Sequence, residues 1–163
     1  MRKIFLSGIL AAFLCSCASF QSNASYSTTG SIAIVEAISD GTTSIQENKH
    51  LTRYMVQITE QTFKSEILVL MREHVQPLLV KGAVLEDCEN DCLVQIGKHI
   101  NAAYITQAYI VKDGDEYSVT TEMFNVASGQ KIASATTDVS SESSIERAVF
   151  LSTAQMFNQF TGK

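Results

Sequence analysis

The sequence has little positive charge. Its 163 residues include 12 lysines and arginines against 17 aspartates and glutamates, so the formal net charge is −5. Beyond Arg2 and Lys3 the basic residues are scattered singly, and no segment forms a basic arm. Proteins that bind nucleic acid usually present a basic face to the phosphates. The composition therefore argues against a nucleic-acid partner and indicates an acidic, solvated surface.

Motifs of common catalytic and metal sites are also missing. The sequence has no G-x-S-x-G nucleophile elbow and no phosphate-binding P-loop. Its three histidines, His50, His74 and His99, are dispersed, and no second Cys or His pair has the spacing of a zinc site. The pair Glu86-Asp87 lies in a predicted loop, where carboxylates are usually solvated. We expect no catalytic residues, no cofactor, no metal and no small-molecule substrate.

Long apolar runs are absent near the start of the chain. Residues 4–14 form an uncharged run of eleven residues behind Arg2 and Lys3, whereas a membrane-spanning helix needs about 20. A short apolar run after a basic start is typical of a secretory signal peptide. We therefore exclude residues 1–16 from the fold.

The end of this segment resembles a bacterial lipobox. In Leu14-Cys15-Ser16-Cys17, an aliphatic residue and a small residue precede the last cysteine at the expected places. A thiolate is the nucleophile that takes the diacylglycerol, so only cysteine serves there. The resemblance implies lipidation of Cys17, and Ala18 resembles the next residue of cargo sorted to the outer membrane. The alternative is cleavage after Ser22-Asn23-Ala24 by the general signal peptidase, which would release a periplasmic protein.

The segment that follows reads as a tether. Residues 17–30 are rich in serine, threonine and asparagine, as flexible linkers are. The chain from Cys17 onward has 10 basic and 17 acidic residues, a net charge of −7. That charge disfavours adhesion to anionic lipid, so the lipid would hold the protein alone.

Residues 31–163 have the periodicity of one globular domain. Short β-branched runs, helical stripes and glycine turns predict an α/β (α+β) fold in the order β-α-β-α-α-β-β-β-α, with helices packed on a single mixed sheet of about five strands. Residues 40–50 read as a polar loop and 65–72 as a buried central strand. The apolar helix faces read as core, with exposure of Phe150, Leu151 and Phe157 toward a partner as the alternative. The predicted strands are 31–39, 65–72, 102–112, 116–126 and 130–139, and the helices are 51–63, one from about Gln76, 92–101 and 143–160.

Residues 92–135 resemble a recurrent envelope-protein pattern. A cysteine is followed by an Ile-Gly pair in a helix, a Gly turn, a Tyr-led strand and a second Gly turn. The pattern is similar to the domain shared by the amino-terminal part of TolB, the curli-secretion (CsgG-like) lipoproteins and the LpoB-like lipoprotein activators of penicillin-binding proteins. The matching positions are Cys92, Ile96-Gly97, Ala103, Asp113-Gly114, Tyr117 and Ser128-Gly129.

The resemblance implies a non-enzymatic interaction domain that faces the periplasm from the outer membrane. Its partner would be a protein of a cell-wall synthase, a secretion assembly or a flagellar system. Two alternatives are a periplasmic hydrolase and an oligomeric subunit of a secretion complex. A membrane-inserted pore is disfavoured, because the 102–126 hairpin is needed for the core sheet and no spare hairpin remains.

Cys88 and Cys92 are the remaining cysteines. Their C-x-x-x-C spacing differs from the C-x-x-C of redox motifs, and a zinc site would need about four ligands. An oxidising periplasm favours a disulfide. We predict a Cys88–Cys92 disulfide, with a free thiol pair and a metal site as the alternatives.

Overall fold

The computed structural model describes residues 30–162. The predicted signal peptide 1–16, the lipidation site Cys17 and nearly all of the tether 17–30 lie outside the described residues.

Six strands of the described chain form one mixed sheet in the order β3-β1-β4-β5-β6, with β2 paired to β4. Parallel pairing joins β1 to both β3 and β4, and β4, β5 and β6 form an antiparallel meander. The predicted fold class is confirmed. The strands are β1 Ile32–Val35, β2 Ile38–Ser39, β3 Ile67–Leu70, β4 Tyr104–Asp113, β5 Glu116–Asn125 and β6 Lys131–Val139. The helices are α1 Ile45–Thr62, α2 Arg72–Val75, α3 Asn90–His99 and α4 Ile145–Thr161.

The sheet lies between two helical layers. Strand β1 alternates its side chains between them: Ile32 and Ile34 pack on the side of α1 and α4, and Ala33 and Val35 on the side of α3. All four residues are fully buried. A parallel strand that is covered on both faces needs apolar residues at every position, as β1 has.

The predicted strand 31–39 is divided into β1 and β2. At the break, the Glu36 N–H donates to the Leu70 carbonyl at 2.9 Å, and the Ala37 N–H donates to the Thr52 hydroxyl at 2.9 Å. The second bond takes Ala37 out of the strand ladder. Because of this break, the sheet has six strands, where about five were predicted.

Helix α1 begins six residues before its predicted start, so the prediction of a loop through residue 50 was wrong. Ser44 and Glu47 form a capping box: the Ser44 hydroxyl accepts from the Glu47 N–H at 3.3 Å, and the Glu47 carboxylate accepts from the Ser44 N–H at 2.6 Å. The S-x-x-E pattern is a sequence signal for a helix start. The first turns are polar because most of their side chains face solvent.

The expected position of β3 in the sheet was also wrong. Strand β3, predicted to be central, is an edge strand whose four residues are half-buried. It is apolar because Ile67 packs on the α1 side and Leu68 and Leu70 on the other. On α4, Phe157 is a core residue that is 1% exposed, whereas Phe150 is 46% exposed.

Close packing of α3 on the sheet depends on Gly97. A Cβ atom at this position would lie 2.6 Å from Val126 Cγ2 and 3.6 Å from Ile105 Cβ. Both neighbours are buried, and valine has little rotamer freedom with which to move away. The glycine therefore permits the helix to approach the sheet.

We expect Gly97→Ala to lower the free energy of unfolding by about 1–3 kcal/mol, the usual cost of overpacking. This loss would occur although alanine favours helix over glycine by about 1 kcal/mol. Urea unfolding would measure it. Adding Val126→Ala should recover most of the loss by making room for the new methyl group. A Gly97→Ala protein as stable as the native chain would contradict the close packing.

Candidate interaction surface

The sulfur atoms of Cys88 and Cys92 lie 1.99 Å apart, at bonding distance. Cys88 follows a short 3-10 turn at Leu85–Asp87, and Cys92 lies in the first turn of α3. Cys88 is 3% exposed. The bridge therefore attaches the acidic 86–89 segment to a helix that is packed on the sheet. Within residues 30–162, no group of three or more His, Cys, Asp and Glu side chains is placed to hold a metal ion.

The His50 side chain lies in a polar cluster between α1 and α4. Its Nε2 is 3.0 Å from one Glu146 oxygen, and the Tyr54 hydroxyl donates to the other at 2.9 Å. The hydrogen bond to Glu146 is the main cause that raises the pKa of Tyr54. The cluster borders a cleft of about 490 Å³.

This cleft does not bring a nucleophile to the histidine. Two hydroxyl groups line it, those of Thr43 and Ser143. They hydrogen-bond to Asn48 and Ser141 rather than to His50. Acyl transfer requires a nucleophile within hydrogen-bond reach of its base. The three-residue cluster of His50, Tyr54 and Glu146 instead ties α1 to α4.

A buried ion pair fixes the end of β1. The Glu36 carboxylate is fully buried and accepts from the Arg72 backbone N–H at 2.8 Å and from Arg72 Nε at 3.3 Å. Arg72 Nη1 reaches Glu86 at 2.6 Å. Burial alone would lower the pKa of Arg72, but hydrogen bonds and charges from Glu86 and Glu36 raise it. Sequence reasoning missed this network, which holds the start of α2 and the acidic 86–89 segment against the sheet.

Acidic side chains are concentrated at one end of the domain. The strands place residues 36–50, 71–91, 111–119 and 136–148 at the end where β1, β3 and β4 finish. These segments contain 14 acidic and five basic residues, a net charge of −9. The other described residues contain three acidic and four basic residues, a net charge of +1. We call the first end the acidic end.

The chain enters the domain at the opposite end, where the segment predicted as a tether finishes. The Ser31 carbonyl accepts from the N–H groups of Ala103 and Tyr104, at the start of β4. A Cβ atom on Gly30 would lie 2.4 Å from the Ala103 Cβ, and Gly30 has a φ of 123°. The chain therefore enters beside β4, with the acidic end at the far end of the strands.

Part of the sheet on the α3 side has no helix of the described residues over it. Strand register aligns Val111 with Ser118 and Asp138, and Tyr109 with Thr120 and Thr136. The Thr120 and Thr136 hydroxyls hydrogen-bond across the strands at 2.9 Å. Val111 is 46% exposed. Antiparallel sheets commonly leave a polar face in solvent, so the informative residues are the apolar Val111 and the aromatic Tyr109. We call these six residues the open sheet face.

Tyr109 was not identified from the sequence as a site residue, and the acidic loops were interpreted as solvated turns. A signal was present in the sequence, because segments rich in carboxylates follow the ends of predicted strands. Cys17 lies outside the described residues. The structure brings no histidine to the open sheet face among residues 30–162.

Solved structures of other proteins have a fold similar to that of this chain. The LpoB C-terminal domain from Salmonella enterica superposes with a TM-score of 0.50 at 14% identity, over 69% of this chain and 84% of that one. The chain has the fold of the LpoB C-terminal domain. The NMR structure of Escherichia coli LpoB gives a TM-score of 0.50 at 13% identity over 68% of this chain and 56% of that one. No protein-family model matches the chain, and no curated protein matches its sequence.

The likeness to LpoB extends to the fold alone at this identity. Within the described residues no helix is both long enough and apolar enough to cross a bilayer.

We expect Cys88 and Cys92 to be oxidised in protein taken from an oxidising compartment. Intact-mass measurement after alkylation, with and without prior reduction, tests this. Unreduced protein should carry two fewer alkyl groups on these cysteines than reduced protein. Loss of the bridge through Cys88→Ala with Cys92→Ala should cost about 2 kcal/mol of unfolding free energy, as expected for a short loop. Two freely alkylated thiols without reductant would contradict the disulfide.

We expect that breaking the buried Glu36–Arg72 pair lowers the free energy of unfolding more than breaking an exposed ion pair does. Arg72→Met leaves the Glu36 carboxylate buried without its cation and should cost about 2–4 kcal/mol, near the range for breaking a buried pair. Lys49→Met is the matched control, because Lys49 pairs with Glu73 at 3.0 Å with both side chains partly exposed. The control should cost at most about 1 kcal/mol. Urea unfolding at pH 7 would compare them, and equal losses would contradict the role of the pair.

Proposed function

We propose that this chain is a lipid-anchored, non-enzymatic interaction module that faces the periplasm from the outer membrane. Cys17 carries the lipid, residues 18–30 form the tether, and the folded domain binds a protein of an envelope machine such as a cell-wall synthase, a secretion assembly or a flagellar system. The resemblance of residues 92–135 to envelope lipoprotein domains and the LpoB-like fold support this proposal.

The separation of charge within the domain carries the proposal furthest. The chain enters at the end opposite the acidic end, which has a net charge of −9, whereas all the other described residues together have a net charge of +1. Anionic lipid headgroups repel acidic protein surfaces. A domain held by a tether at Gly30 would therefore turn its acidic end toward the periplasm, where a protein partner can reach it.

The tether sets how far the domain reaches. Thirteen residues, 18–30, extend to at most about 40–45 Å. Confinement to this distance raises the effective concentration of the domain for a partner near the membrane. Such a mechanism needs binding and localisation but no chemical step.

The anchor can be tested with two cysteine variants. Cys17→Ser should abolish incorporation of labelled fatty acid and release the protein from membranes, because serine has no thiol to accept the diacylglycerol. Cys15→Ser is the matched control, since Cys15 is expected to leave with the signal peptide. It should keep both labelling and membrane attachment.

A Cys17→Ser protein that is still labelled and membrane-bound would overturn the anchor. If both variants lose the lipid, the effect lies in recognition of the signal peptide and not in Cys17. Light scattering on the purified full chain gives a separate check. A ring or another large oligomer would favour the alternative of a self-assembling secretion subunit.

A further inference from the structure

A second cleft, of about 460 Å³, lies between the 86–90 segment and Tyr109. Tyr109 is half-buried and lies at the edge of the open sheet face, where coverage by the described helices ends. Asp87 and Glu89 line the opposite wall of the cleft. The cleft therefore combines an aromatic ring with carboxylates.

The carboxylates in this cleft are not all neutralised. Glu86 is paired with Arg72 at 2.6 Å. Asp87 and Glu89, in contrast, have no side-chain hydrogen bond or ion pair with any residue of the described range 30–162. Uncompensated negative charge beside a ring is suited to a cation.

The cleft near His50 differs in this respect. Both Glu146 oxygens are engaged there, one by His50 and one by the Tyr54 hydroxyl. The Glu47 carboxylate is engaged by the Ser44 N–H. Glu142 also lines this cleft and has no side-chain partner among the described residues. The second cleft differs because it places two such carboxylates, Asp87 and Glu89, across from the Tyr109 ring.

Tyr109 supplies the aromatic ring that lines the second cleft. Burial, followed by the charges of Glu122 and Glu89, raises the pKa of Tyr109 to about 12.

The wall of the cleft is held rigidly. The disulfide attaches Cys88 to α3, and the Arg72–Glu86 pair attaches the preceding 3-10 turn to the start of α2. A backbone segment that is already held in place loses little freedom when a ligand binds, which favours affinity. A rigid wall opposite a fixed aromatic ring also favours a planar ligand.

We propose that this cleft receives an arginine side chain from the partner protein. The planar guanidinium would stack on the Tyr109 ring and donate to the carboxylates of Asp87 and Glu89. Arginine suits the cleft better than lysine, because its flat, forked donor group can stack and bond to carboxylates at the same time. The inference rests on the proposed function, since it names the chemistry by which the interaction module recognises its partner.

The surrounding surface favours a protein over other cations or polyanions. A calcium ion would need six to eight oxygen ligands, and the described residues offer no cluster of three acidic or histidine side chains placed for a metal. Nucleic acid and anionic lipid would be repelled by the acidic end. Next to the cleft, Val111 and the threonine hydroxyls of the open sheet face would contact the backbone of the partner's arginine and the residues beside it.

The test uses the full chain in detergent, labelled with ¹⁵N, and three blocked tripeptides. They are acetyl-Gly-Arg-Gly-amide, its lysine counterpart, and its citrulline counterpart, which keeps the shape of arginine but lacks its charge. The arginine peptide should cause saturable NMR shifts centred on the amides of 86–90 and Tyr109. Its apparent affinity should exceed that of the citrulline peptide at least about tenfold, and that of the lysine peptide by a smaller factor.

Charge-matched variants locate the effect. Asp87→Asn with Glu89→Gln should weaken arginine binding at least about tenfold. Asp113→Asn with Asp115→Asn removes the same charge from the acidic end outside the cleft and should change affinity less than about twofold. Tyr109→Phe keeps the ring and should retain binding, whereas Tyr109→Leu should weaken it. Circular dichroism melting would confirm that each variant is folded.

Several results would overturn the proposal. These are equal binding of the citrulline or lysine peptide, equal losses in the two charge-matched variants, shifts centred on His50 and Glu146, or no saturable shift. None of these results bears on the Cys17→Ser labelling experiment. The arginine cleft can therefore fail while the anchored module stands, and loss of the anchor would leave the peptide titration unchanged.

Discussion

The buried carboxylate of Glu36 is the constraint on which the rest of the structure depends. A charge that is fully removed from water costs several kcal/mol unless it is paired and hydrogen-bonded. Its two donors both come from Arg72, 36 residues further along the chain. Satisfying Glu36 therefore fixes where β3 ends and α2 begins, and Arg72 carries the constraint on to Glu86. The acidic wall opposite Tyr109 is a consequence of this pairing.

The same architecture separates charge along the strands. Parallel pairing of β1 with β3 and β4 places the ends of all three strands together, so the acidic segments that follow them gather at one end of the domain. The chain enters at the other end, where the Ser31 carbonyl accepts from the Ala103 N–H. Attachment and negative charge are thus kept apart by the length of the sheet. The anchored module that we propose would need this arrangement, because its binding surface would have to face away from the membrane.

Much of the fold could be predicted from local pattern. The hairpin turns at Gly114 and Gly129 have positive φ angles of 61° and 71°, as their glycines indicate. The apolar stripes of α3 and α4 and the three strands of the meander could also be predicted from the sequence. The start of α1 was missed because its first turns are polar, although the Ser44–Glu47 capping box marked it. Strand β3 was misplaced because an edge strand covered on both faces is as apolar as a central one.

The sequence by itself determined the elements, the fold class and the distribution of acidic residues, because periodicity, turn chemistry and charge are properties of neighbouring residues. Only the tertiary structure decided which of those residues meet. The Gln107 side chain reaches a carbonyl 71 residues away at Glu36, and Tyr109 faces the 86–90 segment across a cleft. Such contacts depend on strand order and on which face each connection crosses, and local pattern encodes neither. The prediction that Cys17 carries a lipid rests on the sequence alone, whereas the position of Tyr109 beside the cleft follows from the fold.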